Sequence, residues 1–177
     1  MFVIWNKNKK LPKEAHKKLV VRMNEYKLQP VSDTKKKFYT SYDGMNTSVQ
    51  SQELYEVLNP YYSNLVKDII DDVGLLHRIE YNFKWWVQMY RSDTTTHGAH
   101  HHFYQQSTIL SWVHFIQSPR QRCFYFLNSN DEKIYPQQKS GDIIVFPSWA
   151  VHGVDTVKRR NFNRIIVAGN IGAIWTS

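Results

Sequence analysis

From about Tyr81 onward the chain breaks into short apolar runs: FKWWVQMYR, TILSWVHFIQ, RCFYFLN, EKIYP, DIIVFP and FNRIIVAGNI. Turn chemistry such as SPRQ, NSNDEK and QQKSG separates them, and runs of this length bounded by such residues predict strands rather than helices. They follow one another without a regular alternation of strand and helix. That pattern excludes a parallel α/β sheet and predicts an antiparallel sandwich or barrel with helices on one outer face. Aromatic residues make up 15% of the chain, which suits a β-rich core. A length of 177 residues suffices for one well-buried domain and is short for two. The expectation is therefore a mainly β single domain over 1–177, with residues 1–80 as a helical and edge-strand part and 81–175 as the core.

Within the first part, Val3-Ile4-Trp5 suits an edge strand. Pro12 followed by KEAHKKLVVRMNEYKL predicts a helix with Pro near its start and Leu19, Val20 and Met23 as its apolar stripe. Residues 29–51, with a proline, the run Lys35–Lys37 and the turn-forming Tyr42-Asp43-Gly44, are expected to be irregular or partly strand. A second helix is predicted over SQELYEVLNPYYSNLVKDIIDDVGLL from the spacing of Leu54, Val57, Leu58, Tyr62, Leu65, Ile69 and Ile70. Pro60 should break or kink it, and Gly74 is a natural C-cap.

Composition narrows the setting. The lone Cys123 cannot form an internal disulfide, and the opening MFVIWNKNKK is too short an apolar stretch for a signal peptide. Apolar runs fall far below the roughly 20 residues that span a bilayer. A soluble, cytoplasmic protein with no membrane contact is expected, its oligomeric state open, a homo-oligomer included. Residues 1–40 hold eleven of the 23 Lys and Arg but three of the 15 acids, so the net charge of +8 belongs to the N-terminal segment. Such a segment suits either weak contact with a polyanion or a solvated helix face. The few aromatic side chains within the lysine runs favour the solvated face.

The stretch THGAHHHFYQQSTILS carries His97, His100, His101 and His102, half of the eight histidines. In an extended strand His100 and His102 project from one face and can converge on one metal while His101 points away; a polar loop making ordinary hydrogen bonds is the alternative. About fifty residues on, GDIIVFPSWAVHGV offers a third imidazole, His152. Arg164 then begins RIIVAGN, where it shares a face with Ile166, Ala168 and Asn170. A charged Arg on the inward face of an apolar strand is costly unless it meets a buried anion, and its planar fork suits a carboxylate.

Across roughly Trp85–Ile171 the order of these pieces resembles the iron(II)/2-oxoglutarate-dependent oxygenases of the prolyl-hydroxylase-like branch, notably small members from phages and bacteria. The matching pieces are WWVQMY, the H-x-H at His100 and His102, SWVHFI, GDIIVFPSWAVH and RIIVAGN. The resemblance implies a double-stranded β-helix (jelly-roll or cupin-like) core holding Fe(II) in its open end. It also implies His100, His102 and His152 as ligands, Arg164 on the distal carboxylate of 2-oxoglutarate, and O2 and substrate at the remaining coordination positions. The implied activity is hydroxylation with release of succinate and CO2, possible hosts of the gene including phage.

One departure stands out: the family usually has a carboxylate where this chain has His102, giving the facial triad of two His and one acid. Three neutral imidazoles leave the metal one negative charge short, and Asp155 is the carboxylate in reach by sequence. Gln88 and Tyr90, which share a face with Trp86, are candidates to hydrogen-bond the co-substrate, as are Ser111 and, from beside His102, Tyr104. Trp149 is expected beneath His152, His114 as a core histidine, His97 and His101 in solvent-facing or supporting roles. His16 and His77 have no role. The competing readings are a three-histidine cupin-type dioxygenase that does not use 2-oxoglutarate and a non-catalytic jelly-roll binding protein. The substrate is left open between a peptide or protein side chain, a nucleic acid and a small metabolite, because such contacts lie on variable loops.

Overall fold

The computed structural model describes residues 2–26, 39–41, 49–91, 97–103, 107–156 and 162–174. In chain order its elements are β1 (Trp5–Asn8), α1 (Lys13–Tyr26), β2 (Tyr39–Thr40), α2 (Val49–Val73), β3 (Glu80–Tyr90), β4 (His97–His100), β5 (Thr108–Gln117), β6 (Phe124–Leu127), β7 (Lys133–Ile134), β8 (Asp142–Pro147), β9 (His152–Val154) and β10 (Arg164–Ile174). The strands form two antiparallel sheets, one of six strands in the order β1-β8-β5-β10-β3-β2 and one of four in the order β4-β9-β6-β7. This is the sandwich the sequence predicts, with β1 as the expected edge strand against β8.

Two apolar layers sit on opposite faces of the larger sheet. Trp85, Val87 and Met89 of β3, Trp112 and Ile116 of β5, Ile143 and Val145 of β8, and Ile165 and Val167 of β10 meet the buried faces of the helices. Their alternating neighbours, Trp86, Tyr90, Val113, Phe115, Ile144, Phe146, Ile166 and Ala168, turn into the space between the sheets, where Phe124 and Phe126 of β6 join them. A sheet covered on both faces has no solvent side to mark with polar residues, and its strands read as almost continuous apolar runs.

α1 follows the predicted span and buries Leu19 and Met23. In α2 the expected break at Pro60 does not occur, the helix running unbroken from Val49 to Val73. A proline inside a helix costs about 3 kcal/mol, whereas each fully buried large apolar side chain contributes about 1.5–3 kcal/mol. Leu58, Tyr62, Leu65 and Ile69, all fully buried, outweigh the lost hydrogen bond. The helix ends where Gly74 (φ 75°) lets Leu75 N–H reach Ile70 O and its own N–H reach Asp71 O, the paired bonds of a glycine C-cap. Of residues 29–51, expected to be irregular or strand, Tyr39–Thr40 form β2 and Val49 already begins α2. The Lys35–Lys37 run and the Tyr42-Asp43-Gly44 turn lie outside the described residues. Among the described residues no helix is long and apolar enough to cross a membrane.

At mid-strand in β10, Gly169 lies against the Trp112 indole so closely that a Cβ there would overlap the ring. Trp112 is itself fully buried and cannot retreat. Gly169→Ala is therefore expected to destabilise the fold by about 1–3 kcal/mol, read as a lower urea midpoint at unchanged slope.

Candidate metal centre

Three strands and a tight turn assemble one cluster of imidazoles between the sheets. β4 ends at His100, which pairs with His152 at the start of β9. The chain then passes His102, whose backbone N–H donates to Ser148 O at 2.8 Å, tying it to the turn that follows β8. His102 and His152 are buried and His100 is half-buried. One ring nitrogen from each lies within 4.8 Å of the others. An ion about 2.1 Å from each nitrogen would draw them to about 3 Å apart, a movement of an ångström or so per ring. His101, by contrast, is exposed, as the two-residue alternation requires.

The hydrogen bonds set the tautomers. His100 Nδ1 lies 2.9 Å from Gly98 O and His152 Nδ1 lies 2.9 Å from Ala150 O. A carbonyl only accepts, so each Nδ1 carries the proton and each Nε2 keeps a free lone pair, as a metal ligand needs. Burial holds the His152 imidazolium far below its ordinary pKa, the neighbouring His100 adding to it, and burial lowers His100 as well. Aromatic walls fix the rings in place. Phe146 stands 4.9 Å and Phe124 5.5 Å from the His152 ring, and Trp86 stands 6.0 Å from that of His102.

Along the same cleft runs a chain of polar groups. Tyr90 Oη donates to Gln88 Oε1 at 2.8 Å and lies 3.0 Å from His97 Nδ1. A phenol has one proton to give, so His97 is the donor to Tyr90 and its ring stacks on His100 at 4.5 Å. Ser111 Oγ donates to Asn170 Oδ1 at 2.9 Å, and both residues line the cleft with Gln88, Tyr90 and the three imidazoles. Asn170 was visible in the sequence only as a polar residue on the Arg164 face of β10. His97, expected in a solvent-facing or supporting role, supports Tyr90. Tyr104 lies outside the described residues.

Arg164 stands at the start of β10. It pairs with Tyr90 across β10 and β3, its guanidinium 5.2 Å from the Tyr90 ring and 5.5 Å from that of Phe115. The side chain is fully buried, and Nε, Nη1 and Nη2 have no hydrogen-bond partner among the described residues. Its burial pulls the guanidinium pKa down. An unpartnered buried cation costs several kcal/mol, and a carboxylate is the group that would repay it. Tyr90 joins the two, lining the cleft and lying against the guanidinium.

Other expected neighbours fall elsewhere. Trp149 does not lie beneath His152: the turn closed by Ala150 N–H to Pro147 O leaves it 56% exposed, edge-on to Phe2. Asp155 is not a ligand, since its carboxylate accepts from Lys133 Nζ at 2.7 Å and Tyr135 Oη at 2.6 Å. His114 is a core histidine on the helix side of β5, bonded through Nδ1 to Tyr62 Oη at 3.1 Å.

No protein-family model matches the chain, and no curated protein matches it. Its fold, however, is that of solved oxygenases. A Pseudomonas putida prolyl-4-hydroxylase superposes with a TM-score of 0.65 at 16% identity, over 97% of this chain and 92% of that one. The viral collagen prolyl hydroxylase of Paramecium bursaria chlorella virus-1, solved with 2OG, gives 0.62 at 14% identity over 96% of each chain. An oxidoreductase of the 2OG-Fe(II) oxygenase family from Burkholderia pseudomallei gives 0.54 at 17% identity, over 70% of this chain and 58% of that one. The double-stranded β-helix expected from the sequence is thus the fold observed.

Two measurements test these environments. Burial pushes the His114 pKa down from 6.5 to about 4, so the unfolded chain binds the extra proton. Its contribution, about 3 kcal/mol, is fully present above pH 6.5 and is lost as the pH falls towards about 4. Denaturation midpoints should show this loss, and His114→Phe should remove that part of the slope. Separately, Arg164→Met should stabilise the ligand-free protein by about 1–4 kcal/mol by removing the unpaired charge, a gain that calorimetry would detect.

Proposed function

We propose that this chain is a non-haem Fe(II)- and 2-oxoglutarate-dependent oxygenase of the prolyl-hydroxylase-like branch, hydroxylating its substrate. The observation that carries this reading is the conjunction of a three-imidazole cluster with a buried, unpartnered guanidinium in one double-stranded β-helix. Imidazole donors suit iron among the transition metals, and the free guanidinium suits the distal carboxylate of a diacid. Fe(II) with 2-oxoglutarate and O2 would supply the oxidative decarboxylation in which one oxygen atom of O2 enters succinate, CO2 leaves, and the other oxygen atom goes to the substrate.

The chain's own residues would bind, orient and exclude water. His100 and His152, with Nδ1 tied to carbonyls, would hold the ion through Nε2 together with His102. Arg164 would hold the far carboxylate of the co-substrate, its planar fork suiting a bidentate pair. Tyr90, its hydroxyl already fixed by Gln88 and His97, and the Ser111–Asn170 pair offer positioned polar groups along the diacid. Phe124, Phe146, Val113 and Ile166 keep the cleft dry. No substrate contact is assigned, and peptide, nucleic acid and metabolite all remain candidates.

A second reading, a three-histidine dioxygenase working without 2-oxoglutarate, is favoured by the neutral ligand set. Such a site has no use for a buried guanidinium, and Arg164 therefore argues against it. Succinate formation decides between them. With Fe(II), ascorbate and 2-oxoglutarate the protein should release succinate, and both His152→Ala and Arg164→Ala should lower that release at least a hundredfold. Turnover of a substrate in the absence of 2-oxoglutarate would favour the second reading.

A further inference from the structure

The cleft has an unbalanced charge. The residues lining it are aromatic, aliphatic or neutral polar, and none of those described is an Asp or Glu. Asp155, next in sequence to the lining residue Val154, has its carboxylate taken by Lys133 and Tyr135. The three candidate ligands are imidazoles, neutral donors that bring no negative charge. The guanidinium of Arg164, buried and without a hydrogen-bond partner among the described residues, lies against the Tyr90 ring that lines the cleft. A divalent cation entering alone would join the Arg164 charge to give a formal +3 across a largely buried cleft with no anionic side chain among its described lining residues. Like charges in such a medium repel far more strongly than in water, and the desolvation penalty of each adds to the repulsion.

We propose that metal uptake by this chain is linked to uptake of a dicarboxylate dianion: the site holds a divalent ion tightly only when a diacid enters with it. This rests on the oxygenase reading and deepens it. Two negative charges cut the formal charge from +3 to +1, one carboxylate meeting the guanidinium and the other the metal. A protein carboxylate among the ligands would supply part of that balance permanently. With His102 in its place, the diacid becomes a condition of metal occupancy as well as a reactant, and linkage makes the effect reciprocal. The diacid concentration then gates the loaded fraction of the protein.

The test is equilibrium binding of Mn(II), followed by the loss of its free-ion paramagnetic resonance signal, on the full chain without turnover. Four arms separate charge from chelation: no added acid, pyruvate (a 2-oxo acid with one charge), glutarate (the diacid without the 2-oxo group) and 2-oxoglutarate. Mn(II) should bind at least tenfold more tightly with 2-oxoglutarate than with pyruvate, and glutarate alone should tighten it several-fold. His102→Asp, or His102→Glu if the shorter acid disturbs folding, should tighten Mn(II) at least tenfold without any acid and shrink the glutarate effect to less than twofold. Arg164→Met should erase the advantage of 2-oxoglutarate over pyruvate. Equal Mn(II) affinity in all four arms, an undiminished glutarate effect in both His102 variants, or no Mn(II) binding in any arm would overturn the proposal. Linked binding in full, with no succinate from the Fe(II)-loaded protein in air, would overturn the oxygenase reading and leave the linkage standing.

Discussion

Burial of one sheet on both its faces is the constraint on which the rest of this molecule depends. β10 lies at its centre, paired with β3 from Arg164↔Tyr90 to Ile174↔Glu80 and with β5 on its other side. Because side chains alternate, a slip of one residue would send every helix-facing side chain to the inner face and the inner ones to the helices. The helix layer built on Leu19, Met23, Leu58 and Tyr62 thereby fixes the register from outside. Arg164, Gln88, Ser111 and Asn170 face inward as a consequence, although none of them belongs to the apolar core, and Tyr90 joins them from the core itself.

The inner face carries polar groups of very different standing. Gln88, Tyr90 and His97 satisfy one another, and Ser111 satisfies Asn170. Such closed sets cost little. Arg164 is satisfied by aromatic faces alone, a stabilisation of about 2 kcal/mol per ring when desolvated and short of what burial of the cation costs. A fold carries a penalty of this kind where binding later repays it. Comparison with His114 sharpens the point: that histidine is equally buried, but its neighbours are the Tyr61 and Tyr62 rings and no second imidazole of the cluster. Burial alone does not mark out a candidate metal ligand from a core histidine, whereas the convergence of His100, His102 and His152 does.

Much of this was legible in the chain. The strand runs after Tyr81 became β3, β5, β6, β7, β8 and β10, because turn residues and β-branched or aromatic content are local signals. His100, His102, His152 and Arg164 were each readable as residue types out of place in an apolar pattern. Less legible were the features that depend on what lies opposite. Pro60 sits in an unbroken helix because the helix is held by its buried face. Trp149 faces outward because a turn at Pro147–Ala150 aims it there, and Asp155 was spent on Lys133 and Tyr135, partners that no spacing rule pairs with it.

By itself, then, the sequence determined the class of fold and the imidazole chemistry of the candidate donors, since these follow from residue type and period. Only the tertiary structure decided that the three imidazoles meet within 4.8 Å, that His97 is bonded to Tyr90, and that the Arg164 guanidinium has no hydrogen-bond partner among the described residues. Local periodicity specifies which face of a strand a side chain takes. What stands across from it is set by the pairing of segments far apart in the chain, as His100 with His152 and Arg164 with Tyr90, and that pairing exists only when the two sheets close on one another.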